Sequence, residues 1–247
     1  MRLSLLSALL PLALGVACVT TQRQESAGAQ VRLGAAYLQE GNAPDAVRAL
    51  QEATKLDPRN WNAWNKLGLA YFKQGAPERA EKAFRQSLDL VPGNAEVNNN
   101  FGYVLTRLGR YEEALPHFQT ALDDLTYRKP SLVLSNWGHA LYMLDRYEEA
   151  ETKLDQAVSR APNLCQAHFN RGLVREARND KARALDDFEA VIQMCGDAAA
   201  GAYYRAGRVL LDLDDKRGAC SYLRTAAQDG ARSDLGDAAA DLHAREC

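Results

Sequence analysis

The stretch WNAWNKLGLAYFKQGAPERAEKAFRQSLDLVPGN, residues 61–94, decides the fold. Trp64, Leu67, Gly68 and Tyr71 recur at i, i+3, i+4 and i+7, so they share one face of a helix. Ala80, Phe84 and Ser87 do the same for a second helix. Pro92 stops that helix, because proline lacks the amide donor and clashes with a preceding carbonyl. Outward from this stretch, the glycine returns at Gly34, Gly102, Gly138, Gly172 and Gly207, giving successive spacings of 34, 34, 36, 34 and 35 residues. An alanine follows each glycine at the same offset: Ala46, Ala80, Ala114, Ala150, Ala184 and Ala219. The two series share their irregularities, so the added lengths lie at the ends of copies three and five.

Glycine inside a helix costs about 1 kcal/mol relative to alanine. Six in register predict a close approach of two helix axes, with Gly68 facing Ala80 at the short end of the usual 8–10 Å or so. Pro58 and Pro162 end second helices as Pro92 does. One hairpin cannot bury its apolar face alone, whereas a stack of them can. The pattern resembles the tetratricopeptide repeat. That resemblance implies an all-α fold, a right-handed superhelix of six repeats with a concave groove, over residues 27–60, 61–94, 95–130, 131–164, 165–199 and 200–233. In residues 234–247, Leu235, Ala239 and Leu242 form an apolar stripe that predicts a short capping helix.

The N-terminus reads differently. Arg2 is followed by an apolar run, Leu3 to Leu14, near the length of a signal-peptide core and too short to span a bilayer. The sequence Leu14, Gly15, Val16, Ala17, Cys18 resembles the lipobox of bacterial lipoproteins, in which the cysteine is acylated. Residues 1–17 are thus expected to be a lipoprotein signal peptide and Cys18 the lipidation site. Gly15 stands where a lipobox usually has leucine, so cleavage at the same bond without a lipid is the alternative. Residues 18–26 lack an apolar period and are expected to form a tether, reaching about 30 Å at roughly 3.3 Å per residue.

Export makes the other four cysteines a candidate disulfide set. Cys165 opens the first helix of repeat five and Cys195 closes its second, and those ends are neighbours in an antiparallel hairpin. Cys220 starts the second helix of repeat six, and Cys247 ends the cap that runs back along it. The expected pairs are Cys165–Cys195 and Cys220–Cys247; four unpaired buried thiols are the alternative.

Formal net charge is −2, which excludes the basic footprint of a nucleic-acid binder. His117, His139, His168 and His243 lack partners at metal-ligand spacing, and no catalytic motif stands out. The expectation is a protein without enzymatic activity, cofactor, metal or small-molecule substrate. Positions five, nine and twelve of the first helices point into the groove: Val31, Ala35 and Leu38, then Asn65, Leu69 and Phe72, then Asn99, Tyr103 and Thr106. Asn100, Asn136 and Asn170 precede the repeat glycines by two and carry two readings: bonds to a neighbour across the stack, or an amide ladder along the groove. Apolar and amide side chains together suit an amphipathic helix or an extended peptide.

The run Asn99, Asn100, Phe101, Gly102, Tyr103, followed by Gly109, Arg110, Tyr111, Glu112, Glu113, Ala114, is similar to the third repeat of the type IV pilus biogenesis lipoproteins, the PilF and PilW pilotins and Tgl. The lengthened end of this repeat, Asp123 to Pro130 with Tyr127, resembles theirs too. Thr106 and Ala140 stand where some of those relatives have cysteines. The resemblance implies a periplasm-facing lipoprotein of the outer membrane, held through Cys18, and Val19 agrees with that address. It further implies a pilotin that binds the secretin PilQ and promotes its multimer assembly, supporting pilus biogenesis and motility. An envelope scaffold recruiting peptidoglycan hydrolases or outer-membrane assembly factors is the alternative. The expected partner-binding groove is Val31, Leu38, Asn65, Leu69, Phe72, Asn99, Asn100, Tyr103 and Asn136.

Overall fold

Each of the six hairpins turns on a residue with positive φ, seven positions after its repeat glycine. The first three are Gly41, Gly75 and Gly109; the last three are Asp145, Asn179 and Asp214, with φ of 56°, 62° and 62°. Glycine adopts this left-handed conformation freely, and Asp and Asn tolerate it best among the other residues. The turn is therefore a third periodic series, hidden in the sequence because its residue type changes halfway.

The structure is a computed structural model. It describes the backbone of residues 10–196, 199–231 and 233–247 and, among these, the side chains from Thr21 onward. Within them the chain forms thirteen α-helices and no strand, as an all-α helical-repeat fold requires. It divides into two compact units, Met1–Leu108 and Gly109–Cys247. The first holds α1 (Leu10–Gln39), α2 (Ala43–Leu56), α3 (Trp61–Lys73), α4 (Pro77–Leu90) and α5 (Ala95–Arg107). The second holds α6 (Tyr111–Asp123), α7 (Pro130–Tyr142), α8 (Tyr147–Arg160), α9 (Cys165–Ala177), α10 (Lys181–Cys195), α11 (Ala200–Asp212), α12 (Lys216–Asp229) and α13 (Asp234–Glu246). Hairpin partners α1/α2 and α3/α4 pack together in the first unit, and α7/α8, α9/α10 and α11/α12 in the second.

Polar residues set the helix starts. Asn60 and Asn94 each accept a bond from the backbone three residues on, Ala63 N at 3.1 Å and Val97 N at 3.1 Å, and so cap α3 and α5. Asn42, Asp180 and Asp215 cap the second helices α2, α10 and α12 in the same way.

The repeat glycines serve a contact beyond the one expected. A Cβ on Gly68 would lie 2.8 Å from the Phe84 ring, and one on Gly34, Gly138, Gly172 or Gly207 would meet Leu50, Leu154, Phe188 or Leu223 as closely. The nearest side chain is the bulky residue sixteen positions on, and at Gly207 the Ala219 carbonyl, twelve positions on, follows at 3.4 Å. Each glycine is a notch that seats a large side chain of the second helix, and those five side chains are 0% exposed. The alanines are equally buried.

The tether expected at residues 18–26 is helical instead, forming part of α1. Once a helix is nucleated, each further residue adds a hydrogen bond for little entropy, so α1 propagates through this polar segment. At 1.5 Å per residue, Val19–Ser26 then reaches roughly 12 Å rather than 30 Å. The expected signal peptide lies largely, and the Cys18 side chain wholly, outside the described residues.

In the second unit, α13 packs against α12 and α11 with Ala239 fully buried. Cys165 is bonded to Cys195, and Cys220 to Cys247. One bond ties the start of α9 to the end of α10; the other ties α12 to the last residue of the chain.

The same unit contains a buried ion cluster where other repeats have apolar contacts. Arg171 and Arg175 occupy the positions of Leu67 and Tyr71 in repeat two. Asp187, 2% exposed, accepts from Arg171 Nη2 at 2.7 Å and Arg175 Nη1 at 2.8 Å, and lies 3.3 Å from His168 Nδ1. Glu151, 7% exposed, accepts from Arg175 Nε at 3.0 Å and from Arg178. Burial pushes the Glu151 carboxyl up, but the hydrogen bond and charge of Arg175, with Arg178 and Arg183, outweigh burial and hold it below the usual carboxylate range. A depressed folded value means that Glu151 contributes stability above its unfolded value of about 4.3, and loses it as pH falls through the lower folded one. Thermal unfolding between pH 3 and 7 is expected to show an acid limb. Glu151→Gln should lower the midpoint at pH 7 and flatten that limb; an unchanged limb would exclude Glu151 as its source.

Candidate functional site

The first helices α1, α3 and α5 pack side by side in the first unit, α1 on α3 and α3 on α5, and the face they share is the expected groove. Its residues divide into those spent on packing and those left open. Val31 is 6% exposed and clusters with Ala53 and Ala63. It belongs to the core, not the groove, because α2 and α3 close over it. Leu38 is half-buried against the α2 and α3 cluster of Ala46, Leu50 and Leu67.

The amides are consumed. Asn65 is 0% exposed; its Oδ1 accepts from Asn100 Nδ2 at 3.2 Å, and its Nδ2 donates to Glu96 Oε1 at 3.4 Å. Lys66 Nζ stands 3.7 Å from the same Glu96 oxygen. This chain of contacts ties α3 to α5 across the stack. Asn99, 3% exposed, is buried as well. The second unit repeats the device by itself. Asn136, 5% exposed, accepts from Gln166 at 3.2 Å, and Asn170 donates to the Ser135 hydroxyl and carbonyl at 3.3 Å. Buried amides must be paired, and the nearest partners are on the next first helix. The amide ladder is thus a set of struts within each unit, and Asn65, Asn99 and Asn136 offer little to a ligand.

Leu69, Phe72 and Tyr103 remain half-exposed, with Asn100 at their border. Phe72 meets Tyr103 edge to face at 6.4 Å between ring centroids. Arg107 lies over the Tyr103 ring at 5.9 Å and donates to its hydroxyl at 3.0 Å. Arg107 thus borders the apolar patch on α5, and on α3 Lys66 stands beside the Glu96 carboxylate. Asn62, which sequence reasoning passed over, shares the face of Lys66 and Leu69 by helical spacing. Its Oδ1 is buried without a hydrogen-bond partner among the described residues. An unpaired buried acceptor of this kind costs about 1–3 kcal/mol. Nothing in the sequence marks Asn62, because which buried side chains find partners is settled by packing.

The histidines sit in structural surroundings. His168 faces Asp187 and the Pro162 carbonyl, 2.9 Å from Nε2, and His139 stacks on Tyr142 at 6.5 Å. Burial holds the His117 imidazole below its ordinary value, against the charge of Glu113. Among the described residues no group of three His, Cys, Asp or Glu side chains could hold a metal ion, and no helix is long and apolar enough to cross a membrane.

The tetratricopeptide-repeat profile matches residues 31–95, 73–129 and 135–203. The chain belongs to the tetratricopeptide-repeat family. As a tetratricopeptide-repeat protein it is similar in fold to PilW, a widely conserved type IV pilus biogenesis factor. The TM-score is 0.79 at 23% identity, covering 86% of this chain and 97% of that one. Pseudomonas aeruginosa PilF is similar with a TM-score of 0.76 at 24% identity, covering 91% of this chain and 99% of that one. YrrB, a tetratricopeptide-repeat protein with an unusual peptide-binding site, has a TM-score of 0.57 at 22% identity, covering 81% of this chain and all of its own, 100%. At these identities the likeness is one of fold. No curated protein matches the chain.

Proposed function

We propose that this chain is an outer-membrane lipoprotein, anchored through acylated Cys18, that acts as a pilotin for a type IV pilus secretin. Its role is to bind unassembled PilQ subunits and promote their multimer assembly, which supports pilus biogenesis and motility. The observation that carries the binding step is the partly exposed apolar patch of Leu69, Phe72 and Tyr103 on two adjacent first helices. Such a patch takes two or three apolar anchors of a helix or extended segment. The fold shared with PilW and PilF supports the choice of partner. Tethering adds to the contacts: subunits captured by a membrane-held protein assemble at a raised effective concentration. Three acyl chains hold such a protein durably, where one would not.

Two variants test the proposal. Leu69→Asp with Tyr103→Asp, both at half-exposed sites, should leave the fold intact while weakening PilQ binding roughly tenfold or more. Heat-resistant PilQ multimers should fall accordingly. Cys18→Ala should keep the fold and lose both membrane localisation and multimers. Normal multimers in the double variant, at wild-type protein levels, would remove the groove from the mechanism; normal multimers with Cys18→Ala would remove the anchor.

A further inference from the structure

Repeat one carries a helix-receiving face on which no helix lies among the described residues. In repeat two, Ala63, Leu67 and Ala70 of α3 form an i, i+4, i+7 stripe, 0%, 2% and 0% exposed. They cluster with Ala46, Val47, Leu50 and Ala53 of α2, the second helix of the preceding repeat, which packs on α3. In all later repeats the two alanine positions hold Ala or Val and are at most 1% exposed. Repeat one has the same three residue types at the same places, Ala29, Leu33 and Ala36, and all three are exposed, Leu33 at 43%. Beside them a recess of about 240 Å³ opens between α1 and α2, lined by Gln30, Leu33, Tyr37, Asp45, Arg48 and Ala49.

We propose that this leading edge of repeat one is a docking surface for a single amphipathic helix of another protein, which stacks on α1 as α2 stacks on α3. The residue types specify the occupant. The stripe of small, large, small side chains is the one that this chain elsewhere covers with Ala, Val and Leu at helical spacing. An incoming helix with that face would bury Leu33 and both alanines in the known register. Residues 10–26 do not supply it, because α1 is continuous from Leu10 and these residues continue along the helix axis without turning back. The far end of a second copy does not match either, since α13 exposes Asp234, Asp237 and Asp241 there. The surface is separate from the patch of Leu69, Phe72 and Tyr103, so the inference stands or falls independently of the secretin reading.

The probe is a synthetic peptide of residues 43–56, the natural cover of the equivalent face, stapled into a helix through positions 48 and 52, both exposed in the chain. Full-length protein should bind it saturably, with Leu33→Asp weakening binding roughly tenfold or more through loss of a buried leucine. Ala36→Glu, at a second exposed position, should act alike, and Leu69→Asp should leave peptide binding unchanged. Three outcomes would overturn the proposal: no saturable binding up to about millimolar peptide, equal binding by Leu33→Asp and Ala36→Glu, or binding that appears only after residues 1–20 are removed, which would make the chain's own leader the occupant. A dimer in sedimentation that Leu33→Asp dissolves would assign the face to a second copy and overturn it as well.

Discussion

Asp187→Ala is expected to destabilise the protein by about 3–5 kcal/mol, the range for removing one partner from a buried ion cluster. Asp187 is 2% exposed and accepts from Arg171 and Arg175 at 2.7 and 2.8 Å. Without it, two guanidinium groups at 15% and 11% side-chain exposure lose their most buried counter-charge, and Asp155 for Arg171 and Glu151 for Arg175 remain to offset the desolvation cost. For a chain of this size the thermal midpoint should fall by roughly 6–20 °C. The reverse experiment separates the cluster's geometry from its charge. Arg171→Leu, Arg175→Leu and Asp187→Ala together install the residue types that repeats two and three use at these places, such as Leu67, Leu105 and Ala83. Replacing buried ionic partners together by apolar residues is often neutral or stabilising, and Glu151 keeps Arg178 and Arg183 as counter-charges. The triple variant should therefore recover most of the loss. If it is as unstable as Asp187→Ala, the arginines contribute packing that leucine cannot supply.

The second large effect is at Phe84, where alanine should cost about 3–5 kcal/mol. Phe84 is 0% exposed, seats on Gly68 and stacks on Phe101 at 5.2 Å between centroids. Gly68→Ala alone should cost about 1–3 kcal/mol by overpacking, despite the helix propensity it gains. In the Phe84→Ala background the added methyl enters the vacated space, so the same change should be neutral or favourable by up to about 1 kcal/mol. Chemical unfolding of the four proteins yields the coupling directly. Additive effects would show that glycine is needed there for another reason.

Those two experiments bear on what could be read from the chain. The hairpins, their order and the cap were legible because helical spacing and the glycine and alanine periods are properties of neighbours along one strand of polypeptide. The role of the glycines was legible only in part: spacing points to a close approach of the two helices, and packing adds the seat for Phe84 on Gly68. Spacing shows that two small residues recur together but not which side chain each accommodates. The six turns were missed as a series because Asp145, Asn179 and Asp214 replace glycine at a conformation that the three residue types share. The ion cluster left a signal that was overlooked, charged residues in repeat five at the places of Leu67 and Tyr71.

The groove marks the boundary most clearly. Its composition, Leu69, Phe72 and Tyr103 among asparagines, is a matter of period and position. Which of these side chains face solvent was decided by the neighbouring helix, since Asn65 reaches Asn100 and Glu96, and Val31 is closed over by α2 and α3. Local periodicity assigns a residue to a face because helix geometry is set within the chain. Whether that face is open depends on what stacks against it. So the same Ala, Leu, Ala stripe is core in repeat two and bare surface in repeat one.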